Sequence, residues 1–205
     1  MKPIILLMCA LLILSCSAEK AEFKNSEKAA EACEILISDF QKSLKSELVK
    51  AMTEGGPERA VSVCNTKASE ISAGFSEWSG VELKRVSLKQ RNAMFAPDEF
   101  ETIALKAFVA DSLGKQPVHQ KLVYVSDSLT VFRYMKEIKT GELCLKCHGD
   151  PKAFSESLAD TLENLYPGDP ATGYKAGESR GAFSVILRFP AAEESVKKIL
   201  GDKSH

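Results

Sequence analysis

Cys144-Leu145-Lys146-Cys147-His148 constrains this chain more than any other stretch. Cys-x-x-Cys-His is the attachment signature for c-type haem. Two cysteines three residues apart share one helical turn, where both thiols reach the vinyl groups of one haem. The adjacent histidine then lies under the porphyrin, with its imidazole placed to bind iron. With six Cys and three His in 205 positions, chance produces the motif in roughly 0.003 of such chains. Other readings fit less well. A thioredoxin-like site wants the pair between a buried strand and a long helix, but Lys139-Thr140-Gly141-Glu142 precedes it. A zinc site commonly uses two separated pairs, and there is no second pair. A Cys144–Cys147 disulfide leaves His148 without a role.

Haem attachment of this kind needs export, and the N-terminus supplies a signal for it. Met1-Lys2 is a short basic start, and Pro3 to Leu14 is almost unbroken apolar sequence. That run is too short to span a bilayer but suits a secretory signal. It ends at Ile13-Leu14-Ser15-Cys16, which resembles a lipobox, with the small Ser15 where the lipoprotein peptidase must close. Leu14 is bulkier than usual there, so ordinary cleavage near Ala18 is the alternative. The expectation is a lipoprotein signal peptide over 1–15, a lysine/glutamate-rich tether over 16–25 and one domain over 26–205. Cys16 is then the lipidated N-terminus, anchored to a membrane without crossing it. Ser17 in place of an acidic residue points to the outer membrane. The expected location is the periplasmic face of a bacterial membrane, with a soluble periplasmic form as the alternative. Net charge is −1 with the signs interspersed, which speaks against a nucleic-acid surface.

The rest reads as an α+β chain. Asn25 to Met52 is an amphipathic helix with Ala29, Cys33, Ile37, Phe40, Leu44 and Leu48 on one face. Gly55-Gly56-Pro57 breaks it, and Pro57 opens a second helix to about Glu77, with Ala60, Cys64, Ala68, Ile71 and Phe75 aligned. Val81 to Gln90 alternates as a strand, Asn92 to Pro97 is a loop, and Pro97-Asp98-Glu99 opens a helix to about Leu113. Lys121 to Ser126 and Thr130 to Ile138 are strands joined at Asp127-Ser128. After the motif come a helix (Pro151 to Leu165), a loop (Tyr166 to Gly181), a strand (Ala182 to Phe189) and a helix (Ala191 to Leu200). Small all-helical cytochromes c carry the motif near the N-terminus and draw a sixth ligand from a later methionine. Here the motif follows two strands, deep in the chain.

Several segments together resemble a known family. They are Gly55-Gly56-Pro57, Ala60 to Cys64, Val86 to Asn92, Ala96-Pro97-Asp98, Phe132-Arg133-Tyr134, Cys144 to Gly149, Tyr166 to Asp169, Gly173-Tyr174 and Arg180 to Val185. The family is that of bacterial c-type haem domains with a PAS-like fold, long catalogued as a domain of unknown function. Its members occur alone or as periplasmic sensor parts of signalling proteins. The similarity runs from about Ser26 to Phe189, departing at Asn92-Ala93-Met94, where the family has Asn-Pro. The resemblance implies a PAS-like antiparallel sheet with long N-terminal helices. It also implies one covalent haem c with an axial pair of His148 and a cysteine matching Cys64.

From the residues alone, Cys64 lies on the apolar stripe of its helix and faces the core, where an inert buried cysteine is the ordinary case. Met52, Met94, Met135, His119, His205 and Cys33 are rival ligands, and a Cys33–Cys64 disulfide would remove the thiol altogether. Arg91, Arg133 and Arg180 are candidates to pair haem propionates, each with a solvated surface charge as the alternative. Tyr134 and Tyr174 are candidates to do the same or to pack.

Two functions follow. A haem with both axial positions filled by protein has no open position for substrate, which argues for an electron carrier rather than an enzyme. A thiolate that leaves iron on reduction or protonation would instead make a redox or gas sensor, binding nitric oxide or carbon monoxide. No output segment is read after residue 190, so a sensor would signal to a separate periplasmic protein, and a carrier would meet a redox partner there.

Overall fold

The computed structural model describes residues 26–111, 116–126 and 128–201. The expected signal, tether and Cys16 lie outside them, as does His205. Helix α1, Ser26–Ser76, is two helical stretches joined at a break. Gly55 (φ −164°, ψ 26°) and Gly56 (φ 68°, ψ −165°) are non-helical, and the positive φ of Gly56 is a conformation that side chains disfavour. Pro57 restarts the helix, as its fixed φ allows.

Four antiparallel strands form one sheet in the order β1-β4-β3-β2. They are β1 (Val81–Val86), β2 (Val118–Ser126), β3 (Leu129–Lys139) and β4 (Ser179–Phe189). The last strand thus enters between the first and third. The first half of α1 covers one face, burying Ala29, Cys33, Ile37 and Phe40 against Leu83, Phe132, Phe183, Val185 and Leu187. Helix α5, Glu193–Gly201, adds Val196 and Ile199 to this core. Helix α2, Glu99–Ala110, covers the other face through Leu105 and Phe108 against Val86, Met135 and Ala182. The expected α+β architecture with an antiparallel sheet holds.

Several boundaries move for local reasons. The strand expected to reach Gln90 stops at Val86, because Ser87 turns the chain: its hydroxyl donates to Arg180 O at 2.8 Å and accepts from Lys89 N. β2 begins at Val118 and β4 at Ser179, each three residues before the expected start. Gly181 lets β4 begin there, since a Cβ would stand 2.4 Å from Val86 O. The helix expected from Pro151 is a single 3-10 turn followed by α4, Glu156–Leu165, because Ser155 caps a new helix by accepting from Leu158 N.

The second stretch of α1 leans on α4 through Val61, Leu158 and Leu162. The motif helix α3, Glu142–His148, follows β3 directly. The ends of β1 and β3 and the start of β4 meet at one edge, where Val86 pairs Ala182 and Ile138 pairs Gly181. The site lies there.

Candidate functional site

Between the second stretch of α1, the end of β1, α3 and the start of β4 lies a cavity of about 220 Å³. Cys64 enters from α1, Cys144, Cys147 and His148 from α3, and Arg85, Arg91 and Arg180 from around the sheet edge. Ala60, Val61, Ala68, Phe95, Ile138 and Tyr166 make its walls largely apolar. Three thiols and an imidazole far apart in sequence thus open into one space. Among the described residues no three His, Cys, Asp or Glu side chains converge closely enough to hold a bare metal ion. The donors surround a volume rather than a point.

His148 is oriented by a loop that the chain ties down repeatedly. Its Nδ1 donates to the carbonyl oxygen of Ala171 at 2.6 Å. With the proton there, Nε2 carries the lone pair towards the cavity, where it accepts from Arg180 Nη2 at 2.9 Å. Burial, then the charges of Arg180 and Arg91, push the imidazole pKa down to about 2, so the ring is neutral. The loop itself is fixed by Gly173 N to Gly149 O at 2.7 Å and Tyr174 N to His148 O at 3.0 Å. Arg91 adds a buried clamp: Nε donates to Asp169 Oδ2 at 2.8 Å and Nη2 to Cys147 O at 2.6 Å. Asp169 in turn accepts from Ala171 N at 2.9 Å. This explains the Tyr166-Pro167-Gly168-Asp169 motif, whose carboxylate joins Arg91 to the carbonyl that holds His148.

Cys64 and Cys33 are both free thiols, so the disulfide weighed against ligation is not formed. Cys33 is fully buried in the main core, and burial pushes its thiol pKa up. For Cys64, burial also raises the pKa, while Arg85, Arg91 and Arg180 pull the other way. Burial raises the Cys147 thiol to about 11.

The candidate arginines separate. Arg180 lines the cavity, and burial, with Arg85 nearby, pushes its pKa down to about 10. Arg91 lines it too but is committed to Asp169. Arg133 does not reach the cavity: it points to the other face of the sheet, pairing Asp98 at 2.7 Å and the buried Glu101 at 3.3 Å. Tyr134 is likewise absent from the lining, its hydroxyl donating to Glu34 beside the first stretch of α1. Strand alternation puts these two neighbours on opposite faces and neither at the edge where the site lies. Tyr174 stands edge-on to His148, with ring centroids 6.4 Å apart.

Among the rival ligands, Met135 is core filling and Met94 is 78% exposed. Met52 does not line the cavity, and His119 packs edge-on against Phe108.

Two residues escaped the sequence reading. Arg85 shares a strand face with the buried Val81 and Leu83, so the period-two pattern placing a cation at an inward position was the available signal. It has no carboxylate partner among the described residues and lies 5.9 Å over the Phe40 ring. Burial pushes its pKa down. Gln90 lines the same cavity with a buried Oε1 that has no hydrogen-bond partner.

An α+β domain that sets a Cys-x-x-Cys-His helix against a helical cysteine across a sheet-edge cavity is the class that this fold and site define. The chain belongs to the Tll0287-like family, whose profile matches residues 17–188. Among solved structures it resembles the crystal structure of the cyanobacterial haem-protein Tll0287, with 22% identity and a TM-score of 0.56, covering 80% of this chain and 97% of that one. At that identity the likeness is one of fold. None of the curated proteins compared with the chain matches it. The resemblance carried by the sequence motifs therefore holds for family and fold.

Proposed function

We propose that the chain is an exported monohaem c-type cytochrome, with one haem joined covalently to Cys144 and Cys147 and held axially by His148 and Cys64. The observation that carries this reading is the His148 arrangement: Nδ1 spent on Ala171 O and the Nε2 lone pair turned into the cavity that Cys64 also enters. A ligating histidine uses its other nitrogen in this way. The cavity fits the group in two further respects: its walls are mostly apolar, and it presents Arg85 and Arg180 without carboxylate partners among the described residues. Two guanidiniums in an apolar setting call for two anions, and a haem brings two propionates. Arg85 therefore joins Arg180 in the role for which the sequence offered Arg91 and Arg133.

When bound, the haem supplies a one-electron couple. The chain's own residues orient the imidazole, offer a thiol that becomes thiolate only beside a metal's charge, balance the propionates and exclude water. With both axial positions held by protein on helices, the reading is electron transfer rather than catalysis. The partner is a redox protein of the periplasm, and Cys16 anchors the carrier to the membrane by lipid, with a soluble periplasmic form as the alternative. The haem stoichiometry and the covalent bonds are tested by mass spectrometry of protein exported from a host that attaches haem. One haem mass retained under denaturation is expected, and unmodified Cys144 and Cys147 would refute it.

One feature favours the sensor reading. Cys64 sits on a half-helix joined to the rest of α1 through two non-helical glycines. Loss of the thiol ligand would free that half to move. Carbon monoxide or nitric oxide binding on reduction would support this alternative, and a coordination unchanged by reduction would support the carrier.

A further inference from the structure

A second cavity, of about 730 Å³, lies on the α2 side of the sheet edge, between α2, the Ser87–Lys89 turn and the chain entering β4. Its volume falls within the range of small-molecule sites, roughly 300–1,000 Å³. Leu105 and Phe108 form an apolar floor. Leu88 and Val109, 45% and 59% exposed, stand at its walls as large apolar side chains left in water. The polar complement is cationic. Among the described residues the Lys89 ammonium donates only to the carbonyl of Thr172, and the Arg180 guanidinium only to the His148 imidazole. Neither meets a carboxylate among the described residues. Lys139 also lines the space, paired with Glu137. The cavity's own acid, Glu178, already accepts from Lys175 N at 3.0 Å.

Tyr174 and Arg180 form a wall between this cavity and His148. The cations of Lys89 and Arg180 lie 4.9 and 5.6 Å from the Tyr174 ring centroid. The same ring stands edge-on to His148, and Arg180 lines both cavities.

We propose that the second cavity binds a small organic anion, an acidic group carried on an apolar body, and that its occupancy is felt at His148 through Tyr174 and Arg180. The acid meets Lys89 and the outer side of Arg180, and the apolar body lies on Leu105 and Phe108 and covers Leu88 and Val109. With haem bound, His148 Nε2 would hold iron and Arg180 would face a propionate, so a negative charge in the second cavity competes with that propionate for the guanidinium beside His148. The coupling rests on the haem reading, but the binding site does not.

Octanoate is the probe, titrated into the full-length haem-loaded protein by calorimetry, with the absorption spectrum and reduction potential recorded at saturation. One saturable site is expected. Lys89→Glu and Val109→Glu, both at exposed positions and checked for native circular dichroism, should each weaken it about tenfold or more. Octylamine, of the same length and opposite charge, should not bind. Saturation should lower the potential and shift the absorption band. Failure of octanoate to saturate one site, unchanged affinity in Lys89→Glu, or equal binding of octylamine would overturn the site. Saturable binding with no change in spectrum or potential would overturn the coupling. A chain that proves to carry no haem shows this in its absorption spectrum beforehand, and calorimetry still decides the binding site.

Discussion

Arg91 holds Asp169 at 2.7 Å and, with the same guanidinium, takes the carbonyl oxygen of Cys147 at 2.6 Å. The pair is buried and joins three parts of the chain: the turn after β1, the C-terminal end of the motif helix and the loop that accepts the His148 proton. It places the imidazole without touching it.

Asp169→Ala should therefore cost about 3 kcal/mol, since it leaves a buried guanidinium uncompensated. In a chain of this size that lowers the melting temperature by on the order of 10 °C. Thermal unfolding of the variant checks this. Asp169→Asn, which keeps the acceptor for Ala171 N, should recover part of the loss.

Arg85→Ala and Arg180→Ala should each lower the reduction potential of the haem protein by on the order of 50 mV. Oxidised iron carries one more positive charge, so a nearby cation in low dielectric favours the reduced form. Spectroelectrochemistry reads the shift. Arg133→Ala, on the far face of the sheet, should leave the potential within a few millivolts of wild type while lowering stability through the loss of the Asp98 and Glu101 pairs.

Asp98 carries a pH dependence whose sign follows from its surroundings. Burial alone pushes its carboxyl up, but the Glu101 N–H and Arg133 outweigh this and hold it below its ordinary 3.8. A carboxylate with a depressed folded pKa contributes stability that is fully present above the unfolded value and is lost as pH falls through the folded one. Asp98→Ala should thus cost about 1 kcal/mol near neutral pH, as for other helix caps. The difference from wild type should shrink as pH drops below roughly 4. Urea unfolding of both proteins from pH 7 to pH 3 tests it.

Gly56→Ala forces a methyl group into φ 68° and should cost about 1 kcal/mol or more. Because the break sets the direction of the Cys64 stretch, the carrier and sensor readings differ here. A carrier with both ligands rigidly placed keeps its low-spin spectrum in the variant. A sensor whose half-helix must swing changes its carbon monoxide affinity.

What could be read from the sequence was local. Helix periods, the helix start at Pro97-Asp98-Glu99 and the Gly55-Gly56-Pro57 break each depend on neighbours a few residues away, and all three are present in the structure. The convergence of Cys64 on Cys144, Cys147 and His148 depends on β4 inserting between β1 and β3. No spacing reports that, and only the family resemblance pointed to it. The arginines show the same limit. Arg133 and Arg180 look alike in sequence, yet Glu101, buried on α2, captures the first, while the second stays at the sheet edge beside His148. Arg85 escaped the sequence reading, its only signal being a cation at an inward position of the β1 alternation. The signal and Cys16 lie outside the described residues and stand on the sequence alone.

The axial pair of His148 and Cys64 is the central claim, and a low-temperature electron paramagnetic resonance spectrum of the ferric protein tests it most directly, with Cys64→Ala run alongside. The expected result is a low-spin signal with the narrow spread of thiolate ligation, lost in the variant. A signal of wider spread that survives the substitution, or no haem signal from a host able to attach haem, would contradict it.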